Sequence, residues 1–183
     1  MSGIIKATNL EVTTIKDKTN SNTALTVNSN GTMTPSKMVI ASFKIADHVT
    51  VSAQELITNW TTLSAPHTTL GASMTHSSGT FTFPHTGKYL ITLHAGGYGD
   101  GGARTYSGGQ IKYSGDSGGS YTNLARGIAS SYTATAYFQA TATVLIEITN
   151  TSTQSIRFNG YAAGNIILVH NDNNTMCLFQ QVG

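Results

Sequence analysis

The pentapeptide Gly-Asp-Ser-Gly-Gly at residues 115–119 contains residue types that could supply a serine nucleophile. A serine acts as a nucleophile only if a histidine lies within hydrogen-bond distance and a third group orients that histidine. The available partners are His48 or His94, followed in the chain by Asp100. In β-barrel enzymes with such a serine, the histidine and the serine lie in different halves of the protein, and the 23 positions from His94 to Ser117 are too few for this. Asp100 falls in a glycine-rich stretch. The pentapeptide therefore predicts a hairpin turn capped by its aspartate, because glycine permits positive φ and aspartate accepts backbone hydrogen bonds.

Four histidines recur at intervals of nine residues and raise the question of a metal site: His67, His76, His85 and His94. Nine is odd, so on one strand these side chains would alternate between faces, and proline and glycine interrupt the stretch. The sequence predicts surface histidines, although a three-fold axis could still assemble a site from one histidine per chain. No phosphate-binding glycine motif occurs either. We therefore expect no catalytic residue, no metal, no cofactor and a protein that is not an enzyme.

The composition favours an all-β protein with a hydroxyl-rich surface. Hydrophobic residues make up 39% of the 183 residues and charged residues only 10%, which is well below the usual quarter. Threonine, serine, asparagine and glycine fill the difference, and these residues are typical of turns and uncharged strand faces. A net charge of +2 gives no argument for nucleic acid as a partner.

The single cysteine and the lack of long apolar segments indicate in which cellular compartment the protein is made. Cys177 excludes an intrachain disulfide, and its apolar neighbours predict a buried thiol. No apolar run approaches the ~20 residues that span a bilayer, and the first residues lack the pattern of a secretory signal. We expect a protein made in a cytoplasm without membrane insertion.

Short apolar segments with period-two alternation follow Pro35 and predict a sandwich or barrel. Most are bounded by glycine, asparagine, aspartate or proline. The ten predicted strands are Met38–Ile45, Glu55–Leu63, Thr80–Phe83, Lys88–Ala95, Gln110–Ser114, Thr133–Ala140, Ala142–Thr149, Ser155–Tyr161, Asn165–His170 and Thr175–Gln181.

Residues 1–35 differ from the rest in having β-prone pieces broken by Asn, Asp and Gly, with few apolar residues. Five of the ten basic residues lie at or before Lys44. Such a segment cannot offset its ordering entropy by burial alone. We predict that residues 1–35 form a docking or stem segment, ordered against other copies or a partner, and that residues 36–183 form the head domain.

The central segment Ser77–Ala95 resembles a motif of jelly-roll domains related to complement-component and tumour-necrosis-factor folds. The matching positions are Gly79, Phe81, Pro84, Gly87 and Tyr89. The resemblance implies an all-β jelly-roll β-sandwich that forms a homotrimer, with aromatics such as Tyr137 and Phe138 facing neighbouring subunits. Along the motif we expect at least two of Phe81, Phe83 and Tyr89 to be interior.

The N-terminal segment is similar to the Asn/Thr-rich leader of many virion proteins of tailed phages, particularly marine ones. This resemblance implies a virion protein made in the host cytoplasm and bound to other virion proteins through residues 1–35. Such a product would be a tail fibre, a spike or a capsid-decoration protein with its head exposed for host attachment. The alternative is a purely structural cement or adaptor protein whose jelly roll contacts other virion chains.

In the first of these interpretations, a rim of loops on the head would bind host-surface glycans. The loops are GGYGDGGARTYSGG, SGDSGGSY and NTSTQS, and the candidate ligand-binding residues are Tyr98, Arg104, Tyr106, Asp116 and Tyr121. Tyrosines supply stacking faces and the polar residues supply hydrogen bonds. That these loops are only solvated hairpin tips remains an equal alternative.

Overall fold

The computed structural model describes residues 13–16, 23–35, 37–63, 65, 67 and 69–183. Parts of the predicted docking segment, residues 1–12 and 17–22, lie outside the described residues. The described strands are β1 (Thr14–Lys16), β2 (Thr23–Val27), β3 (Met33–Pro35), β4 (Val39–Ile45), β5 (Val49–Val51), β6 (Trp60–Thr62), β7 (Leu70–Gly71), β8 (Thr75–Ser77), β9 (Thr80–Thr82), β10 (Gly87–Gly99), β11 (Arg104–Ser114), β12 (Thr122–Ser131), β13 (Tyr137–Ile148), β14 (Ser155–Ala162), β15 (Ile166–Leu168) and β16 (Met176–Gln181), with one 3-10 turn at Asn171–Asn173.

Strands β1, β2 and β3 form a small antiparallel sheet of their own. The turn between β2 and β3 is closed by hydrogen bonds between Asn28 and Thr32, with Gly31 at positive φ. Its larger apolar side chains, Ile15 and Met33, are exposed. Since no described side chain before Met38 is buried, this sheet has no core among the described residues.

Two larger sheets pack face to face. The first has the order β5-β15-β10-β16-β4-β6, with β13 on the opposite edge of β10 and β7 on β4. The second has the order β12-β11-β14-β9-β8. The chain crosses repeatedly between the sheets, so that strands distant in sequence become neighbours. This is the jelly-roll arrangement, and the predicted all-β jelly-roll β-sandwich is confirmed.

Aromatic rings fill the space between the sheets. Phe81 of β9 lies 5.1 Å from the ring centroids of both Phe43 and Phe179, and 5.3 Å from Phe158. The Trp60 indole closes this cluster and donates a hydrogen bond to a backbone carbonyl at 2.9 Å. Because these rings come from both sheets, their burial holds the sandwich together.

The motif around the β9–β10 turn is interior as expected. Phe81, Phe83 and Tyr89 are 0%, 4% and 0% exposed, and the Tyr89 hydroxyl donates to the His85 carbonyl across the turn at 2.9 Å. Cys177 is also buried, as predicted, and burial raises the pKa of its thiol.

Several strand boundaries differ from those predicted. Of Glu55–Leu63 only Trp60–Thr62 is a regular strand, while Thr133–Ala140 and Ala142–Thr149 are replaced by the single strand β13. The expectation that Phe138 faces a neighbouring subunit is wrong, because it is 3% exposed and packs in the core. Adjacent residues on a strand point to opposite faces, and only Tyr137 points outward.

Most of the glycine-rich stretch predicted as a rim loop is strand. Residues 96–99 complete β10 and residues 104–109 begin β11, leaving a short turn at residues 100–103. Glycine is required because backbones meet here: a Cβ on Gly97 would overlap the carbonyl of Ile167. Within the described residues, no helix is both long and apolar enough to cross a bilayer.

Candidate functional site

The Gly-Asp-Ser-Gly-Gly sequence is the tip of the β11–β12 hairpin. The Ser114 hydroxyl donates to Asp116 Oδ1 at 2.6 Å, and the Ser120 amide and hydroxyl donate to the same carboxylate at 3.0 and 2.8 Å. These donors lower the pKa of Asp116 to about 2, the Ser114 hydroxyl contributing most. The predicted hairpin with an aspartate cap is therefore confirmed.

Ser117 occupies a structural position in this turn. Its φ is +61°, and its amide donates to the Thr153 carbonyl at 2.9 Å, which ties the tip to the β13–β14 turn. Among the described residues, no hydrogen bond joins Ser117 to a histidine. The geometry therefore gives its hydroxyl no base.

The Arg104 guanidinium donates hydrogen bonds to three backbone carbonyls of the head. Its Nε donates to the Asn165 carbonyl at 2.9 Å, Nη1 to the Ala103 carbonyl at 3.0 Å, and Nη2 to the Asp100 carbonyl. One guanidinium thus joins the β10–β11 turn to the loop before β15.

The five residues predicted to form one rim lie at two ends of the sandwich. Tyr98, Arg104 and Tyr106 lie where β10 ends and β11 begins, whereas Asp116 and Tyr121 flank the tip at the other end of β11. Eight residues of β11, Ser107–Ser114, lie between Tyr106 and the hairpin tip, roughly 26 Å at the rise of an extended strand. The predicted loops therefore do not form a single rim.

The remaining predicted tyrosines have partners within the head. Tyr98 lies opposite Tyr137 in the β10–β13 ladder, with ring centroids 5.4 Å apart. Tyr121 carries the Arg157 guanidinium 4.1 Å from its ring centroid, and its hydroxyl is hydrogen-bonded to Ser155 at 3.0 Å. Whether either binds a ligand stays a prediction.

Tyr106 belongs to a cluster on the outer face of β12, β11 and β14. We call this the outer-sheet cluster, and its members are Tyr106, Gln110, Arg126, Asn159 and Tyr161. The Tyr106 and Tyr161 rings stack with centroids 5.0 Å apart and planes at 28°, and the Arg126 Cζ lies 4.6 Å from the Tyr161 centroid.

Two amides complete the outer-sheet cluster. Gln110 lies directly opposite Arg126 on one side and Asn159 on the other. It alternates with Ile111 of the core, so its side chain points away from the core. Its side chain is nevertheless 0% exposed, and neither of its amide atoms has a hydrogen-bond partner. Of this cluster the sequence alone indicated only Tyr106; the signal for Gln110 and Asn159 was that each stands next to a core residue of its strand, Ile111 and Phe158.

The histidines with nine-residue spacing do not converge. His76 packs edge-on against Phe43, while His94 is hydrogen-bonded to Thr141 at 3.0 Å on the outer face of the first sheet. A half-open cavity of about 240 Å³ with a mixed polar and apolar lining adjoins His94 and the Asn171–Asn173 turn. In the part of the chain that the structure describes, no group of three or more His, Cys, Asp and Glu side chains could hold a metal ion.

The outer face of the first sheet is uncharged at its centre. Leu90 lies opposite Leu145 on β13, and Thr92 lies opposite Leu178 on β16. We call these residues, with Thr143, the leucine face. Leu145 is 58% exposed, so a large apolar side chain meets solvent in the isolated chain.

The strand order and the aromatic core define a jelly-roll domain. No protein-family model matches the chain, and no curated protein matches its sequence. Solved structures do match: Eiger TNF from S. frugiperda shares 13% identity over 80% of this chain and 94% of that chain, with a TM-score of 0.62. Murine APRIL at pH 5.0 gives 13% identity, 80% and 100% coverage and a TM-score of 0.59.

A complement domain has the same fold. The globular domain of zebrafish complement 1qA shares 9% identity over 79% of this chain and 98% of that chain, with a TM-score of 0.53. At these identities the similarity is one of fold, and function has to be argued from the sites on this chain.

Proposed function

We propose that the chain is a non-enzymatic structural protein of a phage virion, a homotrimeric fibre, spike or capsid-decoration protein. Residues 1–35 anchor it to other virion proteins, and the head of residues 36–183 is exposed for attachment to host-surface glycans. The observation that carries the proposal is the contrast between the two parts. Among the side chains described before Met38, which are exposed or partly exposed, none is buried, whereas the head has an aromatic core.

The leucine face supports the homotrimer. Its centre offers Leu90, Leu145 and Leu178 among hydroxyl side chains, and the charged residues Lys88 and Glu147 lie opposite each other at one end of the β10–β13 ladder. Interface centres are depleted in charge and enriched in apolar surface in this way. A second copy of the same chain fits this face because an uncharged surface meets its own copy without repulsion.

Virion assembly tests the anchor. Deletion of residues 1–34 should leave a folded β-rich head, because no core residue is lost, while incorporation into phage particles should fall to background. Circular dichroism and the melting temperature check the fold, and quantitative electrophoresis of purified particles gives the copy number. Electron microscopy of particles carrying the full chain then locates the head.

Normal incorporation of the truncated head would contradict this proposal. The attachment surface would then lie on the jelly roll, and the chain would act as a cement or adaptor protein that stabilises the capsid or tail. Localisation separates the two cases as well, because a cement protein lies between virion chains and an attachment protein projects from the particle.

A further inference from the structure

The amides of the outer-sheet cluster are buried without partners. Both amide atoms of Gln110 and the Oδ1 of Asn159 lack a hydrogen bond, while Asn159 Nδ2 donates to the Gln54 carbonyl at 2.6 Å. Buried polar groups in folded proteins are almost always paired, so each exception requires an explanation. Three such atoms lie on directly opposed residues of β11 and β14. They indicate that a bound group supplies the missing hydrogen bonds.

The strands that carry these amides hold only basic charged side chains, and the carboxylate of Glu55, in the loop beside Asn159, already accepts two hydrogen bonds from Ser52. Strands β11, β12 and β14 contain Arg104, Lys112, Arg126 and Arg157, and their sequences contain no aspartate or glutamate. Arg126 is exposed, and the only ion pair among the described residues joins His170 to Asp47 elsewhere. The one interaction the structure gives the Arg126 guanidinium is with the Tyr161 ring. A guanidinium without an anion is suited to bind a carboxylate with two parallel hydrogen bonds.

A second arginine–tyrosine pair on the same sheet differs in this respect. Arg157 lies over Tyr121, but its Nε also donates to Thr80 Oγ1 at 2.8 Å, and the Tyr121 hydroxyl pairs with Ser155. No unpartnered amide faces it across the ladder, where Lys112 is its neighbour. The Arg157–Tyr121 pair is therefore a structural contact whose polar groups have partners, whereas the Arg126–Tyr161 pair lies beside polar groups that have none.

We propose that the outer-sheet cluster binds a carboxylate-bearing sugar. This inference rests on the glycan attachment in the proposed function and moves it from the loops to the sheet face. Arg126 turns from Tyr161 to hold the carboxylate, and the half-exposed Tyr106 ring stacks against the apolar face of the sugar ring. Gln110 lies directly opposite Arg126 in the ladder, and its amide and the Asn159 side-chain carbonyl pair with sugar hydroxyls in the proposed complex.

A uronic acid oligomer tests the proposal on the full-length protein. Calorimetry with tri-galacturonic acid should detect binding, and the methyl ester of the same trisaccharide should bind at least about tenfold more weakly because it lacks the charge. Arg126→Gln should reduce affinity for the acid by roughly tenfold or more, whereas the matched control Arg157→Gln should leave it within about twofold. Melting temperatures of all variants report whether the fold is kept.

Gln110→Leu distinguishes a ligand contact from a mere packing defect. Replacing a buried, unpaired amide by an apolar group of similar shape should not lower the melting temperature, yet it should weaken tri-galacturonate binding several-fold. Unchanged binding in this variant would overturn the role of Gln110 in the site.

Three further results would overturn the site as a whole: no binding by the full-length protein, equal binding of acid and ester, or equal losses in Arg126→Gln and Arg157→Gln. None of them depends on virion incorporation. A protein that enters the particle through residues 1–34 but ignores the sugar refutes only this inference. One that binds the sugar but never enters a particle refutes only the proposed function.

Discussion

At the scale of single residues, the β11–β12 tip shows how one carboxylate organises a turn. Asp116 collects three hydrogen bonds from Ser114 and Ser120, which lower its pKa to about 2 from an ordinary value of 3.8. A lowered folded-state pKa means that the contribution to stability is complete above the unfolded value and is lost as the pH falls through the folded one. The tip should therefore be ordered at pH 5 and loosen toward pH 2.

Amide hydrogen exchange at the tip checks this prediction. In Asp116→Ala the Ser120 amide should exchange faster at pH 7 because it loses its acceptor, and the Gly118 amide should follow because its acceptor, Ser114 Oγ, is no longer held by the carboxylate. Amides in the middle of β11 should be unchanged. Asp172→Ala, which removes an exposed carboxylate on a different loop, is the matched control. Equal protection in Asp116→Ala and the unaltered protein would show that the glycines alone set the turn.

Local residue patterns predicted some of these positions and could not predict others. The burial of Phe81, Phe83 and Tyr89 follows from alternation along β9 and β10, and the aspartate cap follows from the turn composition. The roles of Arg104 and Gln110 depend on carbonyls and side chains brought by β14 and by the loop before β15. Partners that far away in sequence leave no signature in the local pattern.

At the scale of elements, the glycine-rich stretch predicted as a loop is mostly strand, because glycine permits the backbones of neighbouring strands to approach closely. Gly127 of β12 is buried, and a Cβ on it would overlap the backbone of Thr141 on β13. The two strands belong to different sheets, so this residue sets how closely the sheets approach. Glycine occurs both in turns and in close contacts between backbones, so composition alone cannot tell the two apart. Only the position of the backbone that faces the glycine distinguishes a turn from a contact.

Gly127→Ala should therefore destabilise the head although alanine is better suited to a strand interior. The backbone of β13 cannot move aside as a side chain could, and overpacking of this kind typically costs about 1–3 kcal/mol. Urea denaturation of the variant measures the free energy of unfolding. Thr122→Ala, an exposed change on the same strand, should cost much less. Equal stability of the two variants would mean that the sheets have room to separate.

At the scale of the whole molecule, the two sheets present different outer faces. The first carries the leucine face and the second carries the outer-sheet cluster with its positive charge. The fold could be predicted from the sequence because short alternating strands and one specific motif suffice for it. The two proposals, assembly through the leucine face and binding at the outer-sheet cluster, could not be reached from the sequence, because both faces depend on which strands become neighbours in the sheets.

Leu145→Lys should break the homotrimer that we propose. The lysine would bring a charge into a face that we expect to be buried between copies, so light scattering should give a mass near the 19.3 kDa of one chain instead of about three times that value. The matched control is Ile128→Lys on the other sheet, because Ile128 and Leu145 are 60% and 58% exposed. The control should remain trimeric. A trimer in both variants would place the interface elsewhere.

The position of β16 has a consequence for synthesis. β16 is inserted between β4 and β10, although β4 is made more than a hundred residues earlier. Until a ribosome has passed Gln181, both strands keep an unpaired edge, and long-range pairing of this kind closes slowly. Leu178, which β16 contributes to the leucine face, also arrives only then. A prematurely terminated chain would therefore lack part of the leucine face, through which we propose that copies assemble, and truncated chains would be excluded from the homotrimer without a separate inspection step.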